Sequence, residues 1–390
     1  MFAGEASEPA SGTFDEEISP GDSLMDAIGR CPRGGSVLLR PGSYYLNTSN
    51  ALQPFHEVHV FGRGAATLMS PITLSSRRAS FVGVGFQANV TITHGNARLQ
   101  SCKFTQNVLC IGGDADPTFD RCLIQGMLDV QMAKGLFSRC TIEHITQLSY
   151  GSTSVFFGNT FRNNHTGWGI TVDRSSPSFV SNDIQPGLAA GNVSTVGINL
   201  RESPQCVITR NSIGGCSTGI QMIEGSGARI CGNELWNSRN NLALYQGSHA
   251  TVVDNHLRAT SSVGRGISII DPTSGGKFAR NHFSWHAVNV HVSTDVHDVV
   301  ITDNVFRKSK VGVYVMGRHS KGIFRRNRSI DVDFPFASPL RYRVAAVAMG
   351  VSVALMGGTV WWLRWRWHCL LAWVAISGGV GWFVSKCFEP

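Results

Sequence analysis

A short pattern of apolar and small residues recurs through the middle of the chain: an apolar residue, two variable residues, a small or amide residue, one more residue and a second apolar residue. Successive copies begin about 22 residues apart, a spacing typical of stacked structural repeats. Between the copies lie alternations such as Gly-Ile-Asn-Leu and Gly-Ile-Gln-Met, and a period of two predicts strands rather than helices. The fourth position of the pattern is occupied in turn by Val84, Cys102, Cys122, Cys140, Asn159, Asn182, Asn211, Asn233, Asn255, Asn281, Asn304 and Asn327.

Two or three short strands per repeat, separated by Gly, Asn, Ser and Asp, predict an all-β fold. The fold expected is a right-handed parallel β-helix of about 12 coils over residues 21–335. A helical or leucine-rich repeat would need a period of about 3.6 residues, which the sequence lacks. With strands about 4.8 Å apart, the solenoid would be a rod roughly 55 to 60 Å long.

Eight consecutive coils carry asparagine at the fourth position, from Asn159 to Asn327. A side-chain amide both donates and accepts hydrogen bonds, so asparagines stacked on adjacent coils predict an inward ladder. Asparagine also tolerates left-handed backbone, and we expect it to form the bend between two strands. Cys102, Cys122 and Cys140 fill the same position earlier. We expect buried thiols there rather than a metal site, because one cysteine per coil does not converge tetrahedrally.

The amino-terminal segment has a different composition from the repeats. Residues 1–20 contain acids and no Lys or Arg, which predicts an acidic disordered tail and neither a signal peptide nor a transit peptide. A short amphipathic helix is expected after Asp22 or Ser23. Such a helix would cover the open apolar end of the solenoid.

The repeat and this opening segment resemble the pectin-lyase-like superfamily. Within it they are similar to the right-handed β-helix region repeats of bacterial carbohydrate-binding and copper-site assembly proteins and of eukaryotic F-box and Shc-binding adaptor proteins. The resemblance covers residues 21 to about 330. It implies the fold but no single activity, because the superfamily contains lyases, hydrolases, epimerases and binding scaffolds. Neither the paired aspartates of polygalacturonases nor the Asp-Pro-His-Glu motif of uronan epimerases is present.

The carboxyl-terminal part of the chain is apolar. Residues 344–363 carry no charge and are long enough to span a bilayer, and residues 369–384 form a second, marginal run. We expect a transmembrane helical hairpin after a basic linker at 336–343, with a short tail at 385–390. The alternative is one anchor followed by a re-entrant or interfacial helix. The residues expected at the membrane interfaces are Arg341, Arg343, Trp361, Trp362, Arg364, Trp365, Arg366 and Trp367.

The net charge of +8 is concentrated just before these apolar runs. Between Arg307 and Arg343 the chain has ten Lys and Arg residues against two Asp residues. A basic cluster beside a membrane segment is typical of contact with anionic cytoplasmic lipids. It does not fit a nucleic-acid interface, which would spread bases and aromatic residues along one face.

The outward positions of the last strand in each coil form the candidate partner face. The pattern places Thr171, Asn199, Gln221, Ala243, Ser268, Asn289 and Tyr314 in one row. The adjacent row contains Asp173, Arg201, Ile223, Tyr245, Ile270, His291 and Met316. From these we select, as residues expected to contact a partner, Asp173, Asn199, Arg201, Gln221, Tyr245, Asn289, His291 and Tyr314.

Three carboxylates just past these strands are the catalytic candidates. Glu202 and Glu224 fall at equivalent positions on adjacent coils, and Asp271 recurs two coils later. A glycosidase needs two carboxylates about 5 to 9.5 Å apart, and stacked carboxylates could also bind Ca²⁺. The competing interpretation, which we prefer, is that they are solvent-facing turn residues. No metal or cofactor site is predicted.

The sequence therefore predicts a membrane-anchored β-helix that faces the cytosol and binds a protein partner as a non-catalytic adaptor. Ten cysteines without a Cys-x-x-Cys pair agree with a reducing compartment. The alternative is a carbohydrate-active enzyme, similar to a polysaccharide lyase or glycoside hydrolase, that uses the stacked carboxylates.

Overall fold

The protein forms a right-handed parallel β-helix of about 13 turns, one more than the sequence predicts. The computed structural model describes residues 14–46, 51–52, 57–75, 78–162, 167–185, 195–259, 264–293, 295–296, 298–317 and 322–337. Each complete coil contains three strands, called here a, b and c in chain order. The a strands stack into one parallel sheet of 15 strands, and the b and c strands together form a sheet of 26.

The strand bounds follow the repeat. The a strands are Glu16–Ile18, Gly35–Leu39, Val58–Gly62, Ala79–Val82, Arg98–Gln100, Thr118–Asp120, Leu136–Ser138, Val155–Phe157, Ser178–Val180, Cys206–Thr209, Gly227–Cys231, His249–Val253, Gly275–Ala279, Val299–Thr302 and Ile323–Arg325. The b strands are Gly42–Tyr44, Ala66–Leu68, Gly85–Phe86, Lys103–Phe104, Leu123–Ile124, Thr141–Ile142, Thr160–Phe161, Asp183–Ile184, Ser212–Gly214, Glu234–Trp236, His256–Arg258 and His282–Ser284. The c strands are Ala51–Leu52, Ile72–Leu74, Val90–Ile92, Val108–Ile111, Leu128–Gln131, Thr146–Ser149, Trp168–Asp173, Val196–Arg201, Thr218–Ile223, Asn240–Leu244, Arg265–Ile269 and Val288–Val292. In the last two coils b and c merge into Val305–Val315 and Arg328–Ala337.

The core is a column of inward side chains that run the length of the solenoid. Because strands in adjacent coils pair in register, identical residues stack on one another. Phe119, Phe137, Phe156 and Phe179 stack with ring centroids 4.6 to 5.2 Å apart. Stacked aromatic rings contribute dispersion energy beyond the area they bury, so this column holds neighbouring coils in one register.

The predicted asparagine ladder is confirmed, and Asn233 illustrates its geometry. The Asn233 side chain is 2% exposed. Its Oδ1 accepts hydrogen bonds from the backbone N–H and Nδ2 of Asn211 at 2.8 and 3.0 Å. Its Nδ2 donates to Asn255 Oδ1 at 2.9 Å and to the carbonyl of Ile208 at 2.8 Å. Each amide therefore ties the coil before it to the coil after it.

The expectation that asparagine itself adopts the left-handed bend is wrong. The residue before it does: Ser181, Arg210, Asp254, Arg280 and Asp303 have φ between 54° and 58°. Left-handed backbone costs a non-glycine residue about 1 kcal/mol or more. The buried amide that follows satisfies the backbone groups of the bend, and this stabilises the strained residue.

A second ladder, which the sequence analysis missed, lies at the corner between strands c and a. Serine side chains replace the amides there, and backbone N–H groups donate to the serine hydroxyl of the next coil at 3.1 to 3.4 Å. The serines are almost fully buried. They are Ser152, Ser175, Ser203, Ser226, Ser248 and Ser274.

The predicted capping helix is confirmed as Leu24–Arg30, with Ser23 accepting a hydrogen bond from the backbone N–H of Asp26 at 3.2 Å. The predicted boundary at residue 21 is too late. Strand Glu16–Ile18 already pairs with the next a strand, and Glu16 forms an ion pair with Arg30 at 3.0 Å. The acids at this point have basic partners in the fold, so they do not form a tail. Residues 1–13 lie outside the described residues.

The solenoid extends two residues beyond the predicted end, because strand Arg328–Ala337 includes the first residues of the proposed basic linker. Residues 338–390 lie outside the described residues, and they include the rest of that linker, the expected interface residues from Arg341 to Trp367 and both apolar runs. The helix that is described is too short to cross a bilayer.

Candidate binding face on the third strand

The outward side chains of the c strands form a continuous face, because parallel pairing places the same strand position of each coil in one row. The pairing aligns Asp173 with Arg201 and then with Ile223. These three residues belong to the second row. The first row lies beside the second, nearer the b strands. That first row runs through Leu109, Asp129, Gln147, Thr171, Asn199, Gln221, Ala243, Ser268, His291 and Tyr314.

The predicted rows are wrong at two positions. His291 pairs between Ser268 and Tyr314 and belongs to the first row. Asn289 lies two residues earlier, is fully buried, and accepts a hydrogen bond from the Ser309 hydroxyl at 2.9 Å. A shift of two residues leaves each side chain on the same face of a strand, so alternation alone cannot detect it. Asn289 is therefore not available to a partner.

The first row is filled by its own side chains rather than hollowed into a groove. Asn199, Ala243 and Ser268 are at most 1% exposed. His291 stacks on Tyr314 with ring centroids 5.6 Å apart, and burial, with a smaller effect of Arg265, lowers the pKa of His291 to about 4. The imidazole is thus neutral near pH 7 and, at 6% exposed, is part of the filled row rather than an accessible contact.

The second row is the accessible part of the face. Ile223, Tyr245 and Ile270 are half-buried on three successive coils, Arg201 on the coil before them is exposed, and Met316 two coils after Ile270 is also exposed. Aromatic residues, Met and Arg are enriched in protein interfaces relative to the remaining surface. This row therefore has the composition of a protein contact.

Two carboxylates of this face, one in the row and one just beyond it, are paired with arginine. Arg201 Nε lies 2.7 Å from Glu224 Oε2, and Arg174 lies 3.1 Å from Asp173. The Arg174 guanidinium also lies over the ring of Tyr150, 5.0 Å from its centroid. These contacts extend the face with a band of mixed charge around an aromatic ring.

Glu202 occupies a corner with φ of 46°, immediately before the buried Ser203. Glu224 has the same role before the next corner, with φ of 54°. The equivalence of these two glutamates on adjacent coils is thus as predicted. Both glutamates are turn residues, and Glu224 forms an ion pair with Arg201.

Asp271 stabilises the corner two coils after that of Glu224. Its carboxylate accepts hydrogen bonds from the backbone N–H of Gln246 and from the Thr273 and Ser274 side chains. Burial alone would raise the pKa of Asp271, but these hydrogen bonds outweigh it and lower the pKa below 3.8. A carboxylate that accepts this many hydrogen bonds stabilises its corner.

We expect Asp271→Ala to destabilise the solenoid by about 1 to 3 kcal/mol, because the donors of this corner, among them the buried Ser274, lose their acceptor. The folded-state pKa is depressed, so this stabilisation is present above the unfolded pKa and is lost as pH falls through the folded value below 3.8. Urea unfolding at neutral pH and near pH 3 measures the difference. Asp271→Asn, which keeps one acceptor oxygen, is the control and should lose less. Equal stability of Asp271→Ala and wild type at neutral pH would contradict this role.

Asp129 is a candidate that the sequence analysis missed. It lies in the first row and is half-buried, and burial raises its pKa despite a hydrogen bond from Gln131 Nε2 at 2.8 Å. A carboxylate with a raised pKa on an open face is a candidate general acid. The rows inferred from the sequence begin at Thr171, two coils after Asp129.

Over the described ranges, no group of three or more His, Cys, Asp or Glu side chains is arranged to hold a metal ion. The eight cysteines among those residues are unpaired, and burial raises the pKa of Cys206 to about 12 and of Cys216 to about 11. These thiols are protonated near neutral pH and unreactive for that reason.

Comparison with known proteins agrees with the fold. The sequence profile of the family described as periplasmic copper-binding protein (NosD) matches residues 142–296, which is less than half of the chain. A search of curated protein sequences gave no significant match.

Solved β-helix structures are similar at low identity. A double mutant of the periplasmic alginate epimerase AlgG is 12% identical, with 80% of this chain and 83% of that chain covered and a TM-score of 0.46. The PL6 family polysaccharide lyase from Pseudopedobacter saltans is 11% identical, with coverage of 81% and 92% and a TM-score of 0.44. The surface adhesin PfbA of Streptococcus pneumoniae is 10% identical, with coverage of 82% and 97% and a TM-score of 0.41.

Proposed function

We propose that the protein is a β-helix scaffold that binds a protein partner on the c-strand face. The observation that carries this proposal is the second row, in which Ile223, Tyr245 and Ile270 lie half-buried on successive coils next to the exposed Arg201. A protein partner could bury this apolar strip while its rim contacts the mixed charges of Arg201 and Glu224. Rigid stacking of the coils fixes the spacing of the contacts.

The carboxylates favour binding over catalysis. Glu224 is held by Arg201, and Asp271 is held by the backbone and side chains of its own corner. Activating either carboxylate would require breaking these contacts. The face is therefore better suited to recognition than to acid–base chemistry.

Photocrosslinking tests the proposal. With p-benzoylphenylalanine in place of Gln221, we expect ultraviolet light to produce one discrete protein adduct in cells. Tyr245→Ala in the same chain should reduce the adduct about tenfold, because truncating a central aromatic contact typically costs 1 kcal/mol or more. Thr251, which is exposed on the a strand that follows Tyr245 and belongs to a different sheet, is the matched control position and should give no such adduct. Equal adducts from both positions would contradict a specific face.

We also propose that residues 344–384 anchor this scaffold in a membrane, with the β-helix on the cytosolic side. The support is the uncharged run of 20 residues and the concentration of basic residues before it. Lys308, one of these bases, lies over the ring of Trp285 at 4.7 Å, and both are near the carboxyl-terminal end of the solenoid. An anionic lipid surface would be attracted to this end.

A carbohydrate-active enzyme remains the second candidate, and the raised pKa of Asp129 is the observation that favours it. In that case Asp129, rather than Glu202 or Glu224, would be the acid. Incubation with uronic-acid and neutral polysaccharides, followed by detection of new reducing ends, tests this function. Cleavage that is abolished by Asp129→Asn would support the enzyme and contradict the scaffold.

A further inference from the structure

A cleft of about 300 Å³ lies on the outer face of the a strands, near the amino-terminal end of the solenoid and away from the c-strand face. Three successive strands form it: Val58–Gly62, Ala79–Val82 and Arg98–Gln100. Its size is at the lower end of the range of small-molecule sites. The polar residues that line it are Glu57, His59, Arg78, Ser80, Asn96 and Arg98.

The strand register explains why these side chains converge. His59, Ser80 and Arg98 lie directly opposite one another on adjacent strands. The other three polar residues lie two positions earlier in the chain, just before each strand begins, and line the same cleft. Six polar side chains thus form an array of two columns on three strands about 4.8 Å apart.

This array contains more positively than negatively charged side chains. Arg98 is exposed and forms no ion pair with any described residue. Arg78 lies 3.7 Å from Glu57, which is at the long end for an ion pair. Ser80, only 3% exposed, places its hydroxyl at the floor of the cleft. Two guanidinium groups, an amide and a hydroxyl therefore face one small space beside a single carboxylate.

We propose that this cleft binds a small phosphorylated ligand, with the phosphate monoester between the guanidinium groups of Arg78 and Arg98. A phosphate dianion has enough charge and acceptor oxygens to engage two arginines at once, which a single carboxylate does less well. Ser80 and Asn96 donate further hydrogen bonds. Glu57 opposes the anion and is displaced from Arg78 when the ligand binds. This site is independent of the scaffold function, because it lies on a different sheet.

Phosphorus NMR of inorganic phosphate and glycerol phosphate tests the proposal on the full chain at constant ionic strength. We expect saturable line broadening with a Kd on the order of 1 mM for phosphate alone. Arg98→Gln should weaken binding by about tenfold or more, because one charge-assisted contact is lost. Glu57→Gln should strengthen it by roughly threefold, because a like charge is removed. A gain in affinity from Glu57→Gln cannot arise from damage to the fold.

Arg229 supplies the matched control. It is exposed and lies in the same outward column of the a sheet as Arg98, six strands further along, outside the cleft. Arg229→Gln should leave the phosphate Kd unchanged. Equal weakening by Arg98→Gln and Arg229→Gln would overturn the site in favour of general electrostatic attraction. Acetate that competes as strongly as glycerol phosphate would overturn its assignment to a dianion.

Discussion

Asn233→Leu is expected to lower the free energy of unfolding by about 3 to 5 kcal/mol. Leucine is similar in size but offers no polar atom. The backbone N–H and Nδ2 of Asn211 lose their shared acceptor, and Asn255 Oδ1 and the Ile208 carbonyl each lose a donor. Every one of these groups is buried, so water cannot replace the missing bonds without opening the corner.

Urea unfolding followed by circular dichroism measures this effect, and two further variants make it specific. Asn96→Leu replaces an exposed asparagine, and its stability should stay within about 0.5 kcal/mol of wild type. Asn233→Cys should cost less than Asn233→Leu. In an earlier coil Cys122 Sγ lies 3.2 Å from the Leu99 carbonyl, which corresponds to the carbonyl of Ile208. Equal stability of Asn233→Leu and Asn96→Leu would show that the ladder contributes nothing.

The ladder could be predicted because asparagine recurs at one offset in eight coils and its amide has a specific role there. The bend could not, because left-handed φ is adopted by Ser181, Arg210, Gly232 and Asp254 alike. No single residue type marks that position in the sequence. The serine ladder was not predicted, although one residue type does mark its position. Serine is frequent throughout the chain, and the changing length of the coils hides its repeat at the second corner.

For the candidate face, too, one part could be predicted from the sequence and another could not. The outward rows follow from strand alternation, but their alignment depends on the length of each intervening loop, which is why His291 and Asn289 were assigned incorrectly. The roles of the carboxylates depend on residues from other coils. Glu224 is paired with Arg201, 23 positions earlier in the chain, and Glu16 with Arg30 in the helix. Sequence spacing predicts such pairs only when the register between coils is known.

Removal of residues 344–390 is expected to convert the protein from an integral membrane protein to a soluble one without unfolding the solenoid. The apolar run from 344 to 363 contributes the free energy of insertion, whereas the bases that remain near the cut each contribute about 1 kcal/mol at most to binding an anionic surface. The truncated chain keeps every strand through Arg328–Ala337. It should therefore retain the cooperative unfolding of the solenoid.

Carbonate extraction and flotation on liposomes separate the possible outcomes. The full chain should stay with the membrane at high salt and alkaline pH, and the truncated chain should bind anionic vesicles weakly and be released by salt. The last coil offers an apolar surface that the two runs could cover instead of entering a membrane, because Ile323 and Phe334 are each 48% exposed at its end. If the full chain is extracted by carbonate and the truncated chain aggregates, the apolar runs instead cover this end of the solenoid. The membrane proposal would then be wrong, and the acidic amino-terminal strand with its helix would have an apolar counterpart at the other end.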